Sequence, residues 1–171
     1  MFKKIENEQL IKEIDLSIAG ITFREKPLLI GGLSMEYYGI RKHGNDIDFI
    51  VAEEDYQALA AKHPENQQDK WGDRFLSVAS YEFLRSIFRF DYAFLATGAI
   101  EYEHCKVISL EKLFFMKVLA FDNQPEVEKH TKDYQLILAY FLERFQNKEF
   151  AAAAEQFIPQ YLASPDGIIY H

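Results

Sequence analysis

The segment from Leu28 to Val51 constrains the fold more than any other part of the sequence. It consists of a short apolar run, two glycines, an intervening segment with a basic cluster, and then two aspartates that alternate with apolar residues. Successive side chains of a strand point to opposite faces, so Asp46 and Asp48 are expected to share one face, and Ile47, Phe49 and Val51 the other. The segment therefore predicts a strand, a turn into a short helix, and a second strand with two carboxylates on one face.

The remainder of the chain predicts an α+β fold whose C-terminal region is helical. Helical spacing and end signals predict helices over residues 5–19, 33–40 and 53–63, and over segments beginning near 109, 125 and 147. Apolar and aromatic runs predict strands over residues 28–30, 45–51, 75–80, 86–95 and 100–108, and the polar stretch 64–73 is expected to be a loop. We expect residues 1–108 to form an α+β core with an N-terminal helix, and residues 109–171 a helical region packed on it.

Composition excludes several classes of protein. Hydrophobic residues make up 49% of the 171 positions, which is too many for an intrinsically disordered chain. The net charge of −8 disfavours a surface that gathers nucleic acid. The single cysteine forms no internal disulfide, and the N-terminal segment lacks the apolar core of a signal peptide. Since no apolar run reaches the length of a bilayer span, we expect a cytoplasmic protein without a membrane partner.

The two aspartates are candidate ligands of a divalent cation. Like charges held on one strand face repel each other unless a cation lies between them. Carboxylate oxygens suit Mg²⁺ or Mn²⁺, and Mg²⁺ commonly takes one or two carboxylates together with the phosphates of a substrate. The alternative is a solvated strand edge without metal, which a lone Asp-Ile-Asp would favour.

Gly31, Gly32 and Ser34 are candidate phosphate-binding residues because they lie at the predicted strand-to-helix junction. Glycines allow the backbone to approach a phosphate, and a serine hydroxyl adds a donor. The alternative is a tight turn with a serine cap. A third acid, Asp91, alternates with aromatic residues in a predicted strand, where an acid needs a cation or a basic partner.

Together these residues resemble the nucleotidyltransferase superfamily, which has the polymerase-beta-like fold. The matching positions are Gly31, Gly32, Ser34, Asp46, Asp48 and Asp91. The resemblance implies that the three aspartates hold two Mg²⁺ ions, with Asp91 completing the site, and that the glycine turn and Ser34 contact the phosphates of a nucleoside triphosphate. The third carboxylate varies in place among such proteins, so Glu82 is a rival to Asp91.

The segment after Ser109 resembles the helical part of small bacterial members, including toxin-like proteins of abortive-infection systems. On this resemblance Lys117 and Lys132 would neutralise triphosphate charge, although Lys117 would equally serve as a surface lysine. Asp133 would line the site, or would orient Lys117 or Arg41. Arg41 is a further nucleotide-binding candidate, but it lies five residues before the first aspartate, whereas many relatives have their arginine four before.

The resemblance implies an enzyme that transfers a nucleoside monophosphate from a triphosphate to a hydroxyl group by two-metal catalysis. The implied acceptor is a small molecule, a tRNA or a protein. The alternative is a catalytically silent module of the same fold that serves in binding or regulation, such as one component of a toxin–antitoxin pair. A cognate antitoxin or a second copy of the chain would then be the protein partner.

Overall fold

The structure is a computed structural model that describes residues 4–70 and 72–144, together with the single positions 156, 159 and 163. Its core is a seven-stranded mixed sheet. The strands of this sheet are β1 (Leu28–Ile30), β2 (Ile47–Ile50), β3 (Gln67–Lys70), β4 (Asp73–Val78), β5 (Tyr81–Leu84), β8 (Ile100–Glu101) and β9 (Lys106–Val107). Their order across the sheet is β3-β4-β5-β2-β1-β9-β8. A separate two-stranded hairpin contains β6 (Ser86–Ile87) and β7 (Phe90–Asp91).

Six α-helices are described in these residues: α1 (Lys4–Lys12), α2 (Gly31–Tyr37), α3 (Glu53–Lys62), α4 (Tyr92–Leu95), α5 (Leu110–Asn123) and α6 (Glu128–Arg144). The mixed sheet and the helical C-terminal region confirm the predicted α+β class. The predicted last helix, from residue 147, lies mainly outside the described residues. In the part of the chain that is described, no helix combines the length and apolar character needed to span a membrane.

The centre of the sheet follows from the alternation in the opening segment. β2 pairs with β1 antiparallel and with β5 parallel. Phe49 stacks with Tyr81 and Phe83 on one face of the sheet, and its side chain is fully buried. Because the side-chain period of a strand is two, Asp48 lies on the opposite face.

Helix α5 packs its apolar side into the core, as its sequence predicts. Ser109 caps the helix by accepting a hydrogen bond from the backbone N–H of Lys112. Phe114 and Phe115 are buried, and Phe114 stacks on Phe141 of α6 with ring centroids 4.4 Å apart. This packing places α5 and the start of α6 across from the acidic face of the sheet.

Four element predictions were wrong. Residues 100–108 are not one strand but the antiparallel pair of β8 and β9. Residues 64–73 are not simply a loop, because Gln67–Lys70 pairs with β4 as an edge strand despite its polar sequence. Residues 5–19 do not form one helix: α1 ends at Lys12, and a separate turn of 3₁₀ helix covers Leu16–Ala19. Residues 86–95 are not one strand but the β6–β7 hairpin followed by α4. The edge strand Gln67–Lys70 lacks the apolar alternation on which strand prediction depends. Residues 86–95 have that alternation, but Asp73 binds the backbone N–H groups of Phe88 and Arg89 at the turn.

Candidate functional site

One cleft of about 420 Å³ lies between the acidic face of the sheet and helices α5 and α6. Its polar lining includes Asp46, Asp48 and Glu82 from the sheet side, and Lys117, Lys129 and His130 from the helices. Gly31 and Gly32 line the same cleft. The structure therefore brings together the glycine pair, both aspartates and Lys117, as the sequence predicts.

Asp48 and Glu82 form the centre of the cleft. They are register partners on the parallel strands β2 and β5, so their side chains leave the sheet side by side. Burial raises the pKa of Asp48, and a hydrogen bond with Glu82 acts in the opposite direction. A hydrogen bond between two carboxyl groups requires a shared proton, and a cation placed between the groups would replace that proton.

Gly31 leaves the space that the Asp48 carboxyl group occupies. Its φ is +67°, a left-handed conformation that favours glycine. A Cβ atom at this position would lie 2.2 Å from Asp48 Oδ2 and 3.1 Å from its Cγ. The residue is therefore required twice, once for the backbone turn and once for contact with the central carboxylate.

Asp46 lies just before β2 and is exposed, so it is the most accessible of the four acids that line the cleft, which are Asp46, Asp48, Asp73 and Glu82. The predicted strand, residues 45–51, began two residues too early and so wrongly included Asp46, because β2 starts at Ile47. Asp46 and Asp48 nevertheless line the same cleft.

Asp133 lies behind the basic wall of the cleft and binds both Lys117 and Arg41. It is 2% exposed and does not line the cleft itself. Its Oδ2 accepts a hydrogen bond from Lys117 Nζ at 2.7 Å, and Arg41 donates to both of its oxygens, at 2.6 Å from Nε and 2.9 Å from Nη2. Of the alternatives for Asp133, the structure shows the orienting one, with both Lys117 and Arg41 as its partners.

Lys117 is held at the cleft and is not a surface lysine. Its side chain is 13% exposed, and the buried Asp133 fixes its ammonium group. Arg41 does not line the cleft, since Asp133 engages its guanidinium group on two sides. The sequence suggested that Arg41 contacts the nucleotide. In the structure Arg41 instead binds the Asp133 carboxylate, which also binds Lys117.

Three further expected site residues lie outside the cleft lining. Ser34 is fully buried and donates its hydroxyl to the Gly31 carbonyl at 2.7 Å, so it braces the turn instead of facing a phosphate. Lys132 is exposed and pairs with Glu128 one helical turn away. Asp91 caps α4 by accepting from the backbone N–H of Phe94 and does not line the cleft. Glu82, the rival candidate, occupies the place beside Asp48 that was expected of Asp91.

Lys129 and His130 line the cleft but were not predicted from the sequence as site residues. Both line the cleft, and the charge of Lys129 acts on Asp48. His130 Nε2 lies 2.9 Å from Gln124 Oε1, and burial lowers its pKa. Helical spacing offers a signal: residues three and four positions before Asp133 share its face of α6.

The pH dependence of stability should report the Asp133 cluster. Burial by itself would raise the pKa of Asp133, but hydrogen bonds from Arg41 and the charge of Lys117 lower it from 3.8 to about 2. A depressed carboxyl pKa stabilises the fold above the unfolded value and loses that contribution as pH falls toward the folded value. Between about pH 5 and about pH 2 we expect a loss of roughly 2 kcal/mol from this group.

Urea unfolding of the wild type and of Asp133→Asn checks this expectation. The variant leaves two partly buried cations, Arg41 and Lys117, without their anion, so it should be less stable at about pH 5. Its deficit relative to the wild type should shrink at about pH 2, because the wild-type carboxylate is then partly protonated. A deficit that is equal at both pH values would contradict the pKa assignment.

The acids of the cleft fit a hard divalent cation. Asp48 and Glu82 would hold it, with Asp46 nearby, and all three offer the carboxylate oxygens that Mg²⁺ and Mn²⁺ prefer. Within residues 4–70 and 72–144, no group of three or more His, Cys, Asp or Glu side chains is arranged to hold a metal. Two carboxylates suffice when the phosphates of a ligand complete the coordination. The site thus suits a cation that is bound together with a phosphorylated ligand.

Comparison with known proteins adds no identification, since no family model and no curated protein matches this chain.

Proposed function

We propose that the chain is a metal-dependent nucleotidyltransferase that uses a nucleoside triphosphate. The observation that carries the proposal is the Asp48–Glu82 pair, set against the side-chain-free Gly31 and opposite Lys117 in one cleft. Carboxylates for a cation and lysines for phosphates are the two complements that a metal–triphosphate requires. The likeness to the nucleotidyltransferase superfamily supports the same proposal through Gly31, Gly32, Asp46 and Asp48.

In the proposed reaction, a hydroxyl oxygen of the acceptor forms a bond to the α-phosphorus of the triphosphate. The bond from that phosphorus to the bridging β-phosphate oxygen breaks, and pyrophosphate leaves. The hydroxyl proton passes to a carboxylate of the cleft. Mg²⁺ or Mn²⁺, when bound, supplies charge neutralisation for the attacking and leaving oxygens.

The residues of this chain contribute position and charge. Asp48 and Glu82 hold the cation, and Gly31 keeps the space in which the Asp48 carboxyl group lies. Lys117 and Lys129 balance the phosphate charge from the opposite wall. Asp133 prevents Lys117 from swinging away, because it binds the ammonium group from the buried side.

The acceptor in this proposal is a small molecule, a tRNA or a protein. The net charge of −8 favours the first and the last over a large nucleic acid. The proposed compartment is the cytoplasm, which is consistent with a single cysteine, Cys105, whose thiol is buried.

Transfer of label from an α-³²P nucleoside triphosphate tests the reaction. The wild type is incubated with separated small-molecule, tRNA and protein fractions, with Mg²⁺ and with EDTA. We expect label in one fraction, only with metal, and not with Asp48→Asn. Label that transfers from the γ-position but not from the α-position would contradict nucleotidyl transfer, because it would indicate a phosphoryl transferase.

A second candidate is a module that binds a metal–nucleotide without turnover, as in a regulatory or toxin–antitoxin component. It is favoured by the absence, in the described residues, of a three-acid group arranged around a metal. Such a module would bind the triphosphate with metal yet transfer no label to any fraction. The same experiment, run beside a binding measurement, separates the two candidates.

A further inference from the structure

The hairpin between β6 and β7 contains two consecutive residues in an unfavourable backbone conformation. Its register pairs Ile87 with Phe90, so Phe88 and Arg89 form a two-residue turn. Their φ angles are +49° and +68°. Turns of this kind normally use asparagine and glycine, because a bulky L-residue is strained at positive φ.

Asp73 holds this turn in place. Its Oδ2 accepts from the Phe88 N–H at 2.7 Å, and its Oδ1 accepts from the Arg89 N–H at 3.0 Å and from the Ser86 hydroxyl at 2.6 Å. Both oxygens of Asp73 therefore serve the hairpin, although Asp73 also borders the cleft. It is a positioning residue and not a further ligand for a cation.

The constrained turn places Phe88 in the lining of the cleft. Phe75, Leu84 and Ile87 line the cleft as well, and with Phe88 they form an uncharged wall. Asp48, Glu82 and the two lysines line the same cavity. Strained residues persist where the surrounding structure imposes them, and they concentrate at ligand-binding positions.

We propose that Phe88 packs against the heterocyclic base of the nucleotide whose phosphates lie between the carboxylates and the lysines. The proposal rests on the proposed function, since it assigns the base of that triphosphate to the apolar wall of the cleft. A nucleoside triphosphate has a charged end and a flat apolar ring, which match the two parts of the lining. An aromatic face accepts every base, because each base has a π-face.

Calorimetric titration of two ligands tests the proposal. The ligands are ATP and inorganic tripolyphosphate, each with Mg²⁺, and tripolyphosphate carries the charge without a ring. The proteins are the wild type, Phe88→Leu and Phe88→Tyr. Leu keeps an apolar side chain but removes the aromatic ring, whereas Tyr keeps the ring.

We expect Phe88→Leu to weaken ATP binding about tenfold while tripolyphosphate binding stays within about twofold of wild type. Phe88→Tyr should retain the wild-type affinity for ATP. An unchanged ATP affinity in Phe88→Leu would overturn the proposal. An equal loss for both ligands would also overturn it, because the hairpin would then only support the fold.

Failure of the proposed function gives a different result. In that case neither ligand binds the wild type with Mg²⁺, and the assignment of Phe88 falls with it. Asp73→Asn provides a second variant. Its side-chain amide has one acceptor oxygen, so its NH₂ group would face one of the two backbone N–H groups that now donate to the carboxylate, and that hydrogen bond would be lost. Its ratio of ATP to tripolyphosphate affinity should fall toward that of Phe88→Leu, and an unchanged ratio would contradict the positioning role of Asp73.

Discussion

Asp48→Asn is expected to abolish metal-dependent nucleotide binding while leaving the fold intact. The carboxylate is the central acid of the cleft, adjacent to Glu82 and covered by Gly31. Loss of even an outer partner of a metal ligand typically costs about 10–100-fold in affinity, so we expect at least about 100-fold here. In EDTA the thermal midpoint should be unchanged or higher, because burial of the Asp48 charge is no longer required. Calorimetry with Mn²⁺ and a triphosphate, beside a thermal melt, measures both quantities.

Two matched variants locate the third acid. Glu82→Gln should lose binding as Asp48→Asn does, because the two carboxyl groups are side by side. Asp91→Asn should bind normally, because Asp91 caps α4 outside the cleft and Asn is an equally good cap. Loss of binding in Asp91→Asn with retention in Glu82→Gln would show that the acids are assigned the wrong way round.

Gly31→Ala adds a single methyl group, and we expect it to reduce nucleotide binding nearly as much as Asp48→Asn does. The new Cβ would lie 2.2 Å from Asp48 Oδ2, with Cγ and Cβ of that side chain at 3.1 and 3.2 Å. A rotation of the carboxyl group alone cannot relieve all three contacts, so Asp48 must leave its position. We expect a loss of nucleotide binding comparable to that of Asp48→Asn, measured by the same titration. The left-handed backbone adds about 1–2 kcal/mol of destabilisation in urea unfolding.

Gly39→Ala is the matched control for this prediction. Gly39 has a similar φ of +75°, but an added Cβ would meet nothing within 4 Å. The substitution should therefore show the backbone cost of about 1–2 kcal/mol without loss of nucleotide binding. If both alanine variants reduce binding equally, the effect is one of general stability and the contact between Gly31 and Asp48 is not responsible.

The central part of the fold was predictable because its residues satisfy one strong rule. Alternation between Asp46 and Phe49 placed the two acids and Phe49 on opposite faces, and the structure has Phe49 stacked in the core and Asp48 in the cleft. The β6–β7 segment was not predictable in this way. Its aromatic residues alternate like a strand, but the turn at Phe88 is imposed by Asp73, thirteen or more residues away in sequence from the groups that it binds.

The same distinction applies to the site residues. The two aspartates could be predicted because a local alternation surrounds them, whereas Lys117 was proposed only through the resemblance to a known superfamily. Glu82 could be placed beside Asp48 only through the pairing of β2 with β5, which is a tertiary contact. Asp91 followed a local pattern equally well, but its carboxylate caps the start of α4 by accepting a hydrogen bond from the Phe94 N–H. Local patterns predict on which face of its strand an acidic side chain lies. The register between paired strands decides which acidic side chains are neighbours.

The thermal midpoint of the wild type with each of the four nucleoside triphosphates, with and without Mg²⁺, tests the central claim most directly. At a nucleotide concentration of about 100 times Kd, binding should stabilise the fold by about 2.7 kcal/mol, or roughly 5–10 °C. We expect this rise to require both the metal and a triphosphate. No rise under any condition, or an equal rise with nucleotide in EDTA, would contradict a cleft in which Asp48 and Glu82 hold a cation against the phosphates.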